Sequence, residues 1–197
     1  MRLFVALDLE ETIRERIQHF VEQMRPLAPK VRWITAESLH ITLKFIGEQP
    51  DIKVKEIETA LEKIAGASFP LSIRGCGFFP TAKAARVFWA GVEAGAELRC
   101  LASDVELALE PLGIEREKRD FNPHLTLART SGRSGAPSRQ RDDKPNRAFA
   151  QVQEHLSQAT APEFGTMVAR EFFLYRSQLS SQGSRYSKLA RFSLSQA

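Results

Sequence analysis

Residues 38–48 read SLHITLKFIGE, and residues 122–130 read NPHLTLART. In the first stretch Leu39, Ile41, Leu43 and Phe45 alternate with His40, Thr42 and Lys44, the period of two that marks a strand with one buried face. The second stretch repeats it, with His124 and Thr126 alternating with Leu125 and Leu127. Side chains two residues apart on a strand point the same way, ~7 Å apart. Each stretch therefore predicts a strand that turns leucines to the core and a histidine–threonine pair to the other side. The chain has four histidines and nine threonines. Two of the four histidines being followed by threonine at this spacing is roughly a 1% event by chance. A single pair would be an ordinary feature of a half-buried strand, but two pairs ask for a shared purpose. His19 and His155, in helical patterns among polar neighbours, read as surface residues.

Working outward, RLFVALD (2–8) reads as a strand, and Asp8, with Glu11 three residues on, predicts a helix cap. Ile13, Ile17, Phe20, Val21 and Met24 share one helical face, ended by Pro26. A short strand around Val31–Trp33 precedes the first histidine stretch. A second helix runs from about Asp51, with Val54, Ile57, Leu61 and Ile64, to Gly66. FPLSIRGCGFF (69–79) and RVFWAGV (86–92) predict two strands. Leu98, Leu101, Val105, Leu109 and Leu112 mark a third helix, ended by Pro111 and Gly113. After the second histidine strand, residues 131–146 form a polar, basic loop rich in Gly, Pro and Ser. A fourth helix carries Phe149, Val152 and Leu156, and two strands, about 166–176 and 185–194, complete the tail. This order predicts an α+β fold with antiparallel sheets and helices packed on one face.

The 197 residues, 43% hydrophobic and 26% charged, fit one globular unit. No apolar run approaches the ~20 residues of a membrane span, and the start lacks a signal-peptide pattern. Cys76 and Cys100 stand far apart, outside any metal-ligand or disulfide spacing, so the expected compartment is the cytoplasm. The net charge of +4 is compatible with a polyanionic substrate. No GxGxxG and no Gly-rich loop ending in Lys-Ser/Thr occurs, which disfavours Rossmann and P-loop nucleotide sites.

Two histidines facing one cleft can divide general acid and general base work, because a pKa near ~6.5 lets each hold either protonation state close to neutrality. Phosphodiester cleavage needs that division: one proton leaves the attacking oxygen and another reaches the departing oxygen. A hydroxyl beside each histidine adds a donor for the non-bridging phosphate oxygens. His40 and His124 alone would leave zinc without a third protein ligand, so no metal or other cofactor is expected. Which histidine is acid and which is base stays open on these grounds.

HITL (40–43) and HLTL (124–127) resemble the paired His-x-Thr-x motifs of the 2H phosphoesterase superfamily. MRLFVALDL, LHITLKFIGE, RVFWAGV and PHLTLAR are similar to bacterial and archaeal RNA 2′,3′-cyclic phosphodiesterases, also called 2′-5′ RNA ligases. The likeness runs over nearly the whole chain and is weakest at 131–160. It implies a single two-lobed domain over 1–197, with two antiparallel sheets related by pseudo-twofold symmetry about a central cleft and helices on the outer faces. It implies hydrolysis of an RNA 2′,3′-cyclic phosphate to a 2′-phosphomonoester. RNA ends or small cyclic nucleotides are the expected substrates, and a monomer without membrane attachment is the expected state. The resemblance makes His40 the proton donor to the leaving 3′ oxygen and His124 the proton acceptor that activates water. Thr42, Thr126 and Arg129 would bind the phosphate, Arg129 as a cationic donor.

Two other readings share these residues. A 2′-5′ RNA ligase, or a phosphodiesterase of 2′-5′ linked oligonucleotides, would use the same cleft. A non-catalytic nucleotide- or RNA-binding module could keep the fold, although the presence of both histidines speaks against it. Phe4, Trp33, Phe121 and Tyr186 read first as core, and as base-stacking residues second. Lys44 reads as a phosphate contact or a solvent-facing residue. Arg86, Arg133 and Arg147 read as solvated charges that could guide RNA.

Overall fold

The computed structural model describes residues 1–130, 145–180 and 183–195. The basic loop predicted at 131–146, with Arg133, therefore lies almost entirely outside the described residues. Nine strands and four helices are described: β1 Arg2–Leu7, α1 Glu11–Met24, β2 Val31–Trp33, β3 Ile41–Glu48, α2 Lys53–Leu61, β4 Phe69–Phe79, β5 Val87–Ala94, α3 Ala96–Leu109, β6 His124–Thr130, α4 Ala150–Gln158, β7 Glu163–Ala169, β8 Glu171–Ser180 and β9 Gly183–Ser193. They build two sheets with antiparallel ladders, in the orders β3-β1-β8-β9 and β2-β6-β5-β4-β7. The α+β fold with two antiparallel sheets is thus present.

The order of elements is similar in the two halves: with the short β2 set aside, β1-α1-β3-α2 corresponds to β5-α3-β6-α4, and each set carries its His-x-Thr pair at the start of its second long strand. The helices pack crosswise. Helix α1 leaves the first sheet but lies against β7 of the second, where Phe20 meets Phe164 edge-on and Arg16 donates to the Phe164 carbonyl. Helix α3 leaves the second sheet but lies against β3 of the first. One continuous apolar cluster consequently runs through both sheets, from Leu3, Val5 and Leu7 to Phe88, Leu125 and Leu127. A separate small cluster, Phe4, Ala6, Phe173 and Tyr175, sits on the opposite face of the first sheet.

Most predicted elements appear where periodicity places them. β4 spans the predicted 69–79, and Gly113, at φ 76°, ends the α3 region in a left-handed turn that favours glycine. Two expectations are corrected. Asp8 does not cap α1, which starts with Glu10 at its N-cap position and no side-chain cap bond. Asp8 instead accepts the Leu9 N–H and pairs with Arg14 and Lys188. The tail holds three strands rather than two, because the run around 166–176 breaks at Arg170, with β7 in one sheet and β8 in the other. No helix among the described residues is long and apolar enough to cross a membrane.

Candidate active site

Each histidine strand carries the same irregularity one residue after its threonine. In the first sheet Val5 pairs with Lys44 and Ala6 with Thr42, so Leu43 is skipped. In the second, Phe88 pairs with Ala128 and Trp89 with Thr126, so Leu127 is skipped. An extra residue in one strand of a pair reverses the in–out alternation beyond it. Two consecutive buried residues follow each threonine, Leu43–Lys44 and Leu127–Ala128. Beyond them Phe45 and Arg129 return to the face that carries the histidines.

This corrects the expectation for two residues. Lys44 does not share the His40 face. It is 5% exposed and turned inward, where its ammonium pairs with Glu106 of α3 and donates to the Glu115 carbonyl. Phe45 does not join the apolar face and is 63% exposed. The bulge also explains Arg129. Five residues after His124, it would point away from the histidine on a regular strand. With Leu127 bulged it returns to the same side, and its guanidinium donates to Thr126 Oγ1 at 3.2 Å. With that oxygen already accepting, the Thr126 hydroxyl proton is left to donate elsewhere.

The two histidines are held alike. His40 stands just before β3, and His124 opens β6. Each Nδ1 is 2.8 Å from the carbonyl oxygen two residues earlier, Ser38 for His40 and Asn122 for His124. A carbonyl only accepts, so each Nδ1 carries the proton and donates it, which leaves Nε2 of each ring to exchange protons with a substrate. Aromatic rings fix the planes. Phe4 lies 4.7 Å from His40 and Tyr186 meets it edge-on at 5.1 Å; Phe79 meets His124 edge-on at 5.0 Å.

Burial dominates the electrostatics. It pushes His40 down to about 4, with the Ser38 carbonyl opposing and the charges of Arg129, Arg14 and His124 adding to the depression. His124 is lowered as well, first by burial, against the Asn122 carbonyl, and then by Arg129. Both rings are therefore neutral in the free protein at neutral pH, and Arg129 bears on both. An anion brought among these groups would offset the guanidinium and favour the imidazolium.

A buried arginine on α1 sets the turn that precedes His40. Arg14, 9% exposed, donates through Nε to the Leu9 carbonyl at 3.3 Å and through a terminal nitrogen to the carbonyls of Ala36 and of Leu39, the latter at 3.1 Å; it also pairs with Asp8. Residues 36–38 form a 3-10 turn, and Ser38 within it holds His40 Nδ1. The sequence carried a signal for Arg14 that the motif reading passed over. It stands on the same helical stripe as Ile17, Val21 and Met24, where a charge is out of place unless it has buried partners.

The structure brings His40, Thr42 and Phe45 to one face of the first sheet, and His124, Thr126 and Arg129 to one face of the second. Arg32 pairs with Arg129 across β2 and β6, and its charge acts on Arg129. His19 and His155 are exposed, as expected. Trp33, 8% exposed, packs edge-on against Phe88 and donates from Nε1 to the Ala28 carbonyl. Phe121 packs against the main core, and Arg147 is exposed. Among the described residues no group of three or more His, Cys, Asp or Glu side chains could hold a metal ion, and both cysteines are free.

Comparison with known proteins adds to this geometry. A family model described as the 2′-5′ RNA ligase superfamily matches residues 13–177. A protein named RNA 2′,3′-cyclic phosphodiesterase from Archaeoglobus fulgidus is 34% identical over 192 residues, covering 98% of this chain and 99% of that protein. Another of the same name, from Methanothermobacter thermautotrophicus, is 31% identical over 196 residues, again 98% and 99%. Among solved structures, E. coli LigT complexed with 3′-AMP superimposes with a TM-score of 0.77 at 28% identity, covering 99% of this chain and 98% of that one. A Thermus thermophilus crystal structure superimposes with a TM-score of 0.78 at 29% identity, covering 100% and 99%.

Proposed function

The chain belongs to the 2′-5′ RNA ligase superfamily, and from that membership we propose that it hydrolyses RNA 2′,3′-cyclic phosphate ends to 2′-phosphomonoesters, working as one two-lobed unit. The observation that carries the reading is the pair of histidines anchored alike through Nδ1, with Arg129 acting on both. His124 Nε2 takes a proton from water as the water oxygen bonds to phosphorus. The bond from phosphorus to the 3′ oxygen breaks, and His40 Nε2 delivers a proton to that oxygen. Arg129, Thr126 and Thr42 donate to the non-bridging oxygens, where negative charge builds up. His40, neutral when the cleft is empty, gains its proton with the arriving phosphate, whose charge offsets Arg129. Only RNA supplies the ring, because the ring needs the 2′-hydroxyl. The donor set asks for no metal.

The test is incubation with a short RNA ending in a 2′,3′-cyclic phosphate, in EDTA, beside His40→Ala and His124→Ala. Wild type should yield a 2′-phosphate end, identified by mass and phosphatase sensitivity. Each variant should lose most turnover while keeping its melting temperature. A variant with wild-type turnover would overturn the acid–base roles, and loss of activity in EDTA restored by Zn²⁺ or Mn²⁺ would overturn the metal-free mechanism. Turnover of 2′-5′ linked dinucleotides instead of cyclic ends would transfer the site to that reaction, and binding without any turnover would indicate a nucleotide-binding module.

A further inference from the structure

Arg32 and Arg129 face each other across β2 and β6, in a regular ladder that pairs Val31 with Thr130, Arg32 with Arg129 and Trp33 with Ala128. Directly opposed residues of an antiparallel pair share a face, with Cβ atoms ~5 Å apart, and like charges so placed repel. Val31 and Trp33 are buried in the core, so Arg32 stands on the other side, from which Arg129 reaches Thr126 Oγ1. Arg32 is exposed and makes no ion pair among the described residues. The groups that act on the Arg129 charge are the Tyr186 phenol and Arg32 itself, with no carboxylate among them. Two guanidiniums held side by side ask for two negative charges. The reacting cyclic phosphate carries one, and Arg129, bonded to Thr126, meets it. We infer that Arg32 binds the next phosphate of the chain, on the 5′ oxygen of the terminal ribose, so that the site takes the end of an RNA strand in preference to a free cyclic nucleotide.

The inference rests on the proposed reaction for the position of the first phosphate. The bulge after Thr126 brings Arg129, and with it Arg32, to the face of His124. One ribose separates the two phosphates of a nucleotide, and one step between neighbouring strands separates the two arginines, so each cation meets one anion. β2 is the edge strand of its sheet and borders β6 alone. A chain that leaves the histidines past Arg129 therefore passes Arg32 before it reaches open solvent. The planar guanidinium fork suits phosphate oxygens. A free cyclic nucleotide without a 5′ phosphate would leave Arg32 uncompensated, whereas a chain satisfies both cations.

The test uses the dinucleotide ApA ending in a 2′,3′-cyclic phosphate, made with an ordinary phosphodiester link or with an uncharged methylphosphonate link of similar shape. Wild type should prefer the charged link by ~10- to ~100-fold in kcat/KM, the range of one charge-assisted contact. Arg32→Gln should lose that preference, and its turnover of the methylphosphonate substrate should stay within about twofold of wild type. Arg32→Lys should keep part of the preference, because it keeps the charge without the fork. Arg32→Gln should melt no lower than wild type, since it removes a like charge from beside Arg129. Equal losses on both substrates would assign Arg32 to the reacting phosphate and overturn the inference. No loss on either, or a melting temperature well below wild type, would overturn it too. If wild type turns over neither substrate, the proposed reaction fails by itself. Calorimetry with adenosine 2′-monophosphate and adenosine 2′,5′-bisphosphate then still decides on Arg32. The bisphosphate should bind wild type more tightly, and Arg32→Gln should erase the difference. Equal affinities in wild type, or a difference that survives in Arg32→Gln, overturn the second phosphate site.

Discussion

Replacing Arg14 by methionine removes a cation that gathers four oxygen partners. Three are main-chain carbonyls, of Leu9, Ala36 and Leu39, and the fourth is the Asp8 carboxylate. Hydrogen bonds from a charged donor are worth ~1.5–3 kcal/mol each, and a buried acceptor left bare loses its hydration as well. Asp8 keeps Lys188, which limits the electrostatic part of the loss. Removing one partner of a buried ion pair costs ~3–5 kcal/mol, and that range fits here once the three carbonyls are set against the partner Asp8 retains. For a chain of this length the corresponding drop in melting temperature is about 6–20 °C. Urea unfolding followed by circular dichroism gives the free energy, and proton NMR titration of His40 gives a second, independent readout. The Arg14 charge lowers the His40 pKa, so removing the charge raises it. Arg14→Lys keeps the charge but cannot reach three carbonyls, so it should restore much of the titration and little of the stability. A loss below about 1 kcal/mol together with an unmoved His40 titration would refute the idea that Arg14 anchors the turn before the histidine.

The pH dependence of stability should carry the signature of His40. Its folded pKa, about 4, lies below the ~6.5 of an unfolded histidine, so between these values the unfolded chain binds a proton that the folded one does not. Its contribution is therefore full above about pH 6.5 and is lost as pH falls toward 4, with His124 acting in the same direction. His40→Gln should flatten the fall in urea-unfolding free energy from pH 7 to 4.5, and slopes identical to wild type would contradict the buried neutral ring. At Gly77 an added Cβ would sit 2.2 Å from the Trp89 ring, which shares the cleft face with Thr126. Gly77→Ala should lose ~1–3 kcal/mol of stability, measured by urea unfolding, and an unchanged free energy would show that the Trp89 ring yields to the added methyl group.

Local periodicity determined much of this protein by itself. The two His-x-Thr strands, the faces of α1 and α3 and the exact reach of β4 follow from spacings of two and of three to four residues, which any segment displays without its partners. That His40 and His124 open two similar strands was legible for the same reason, whereas the two-lobed arrangement about a cleft was implied by the family resemblance. What the tertiary structure decided depends on pairs of strands and on distant carbonyls. A bulge is an excess of one residue relative to a neighbouring strand, so nothing within LHITLKF announces that Lys44 turns inward and Phe45 outward, or within PHLTLAR that Arg129 turns toward Thr126. The charge on the α1 stripe was visible at Arg14, but its partners at Ala36 and Leu39 come together only when the turn before β3 docks on the helix. The division of the tail into β7, β8 and β9 likewise follows from which sheet each strand joins, a choice made by the edges left open elsewhere in the fold.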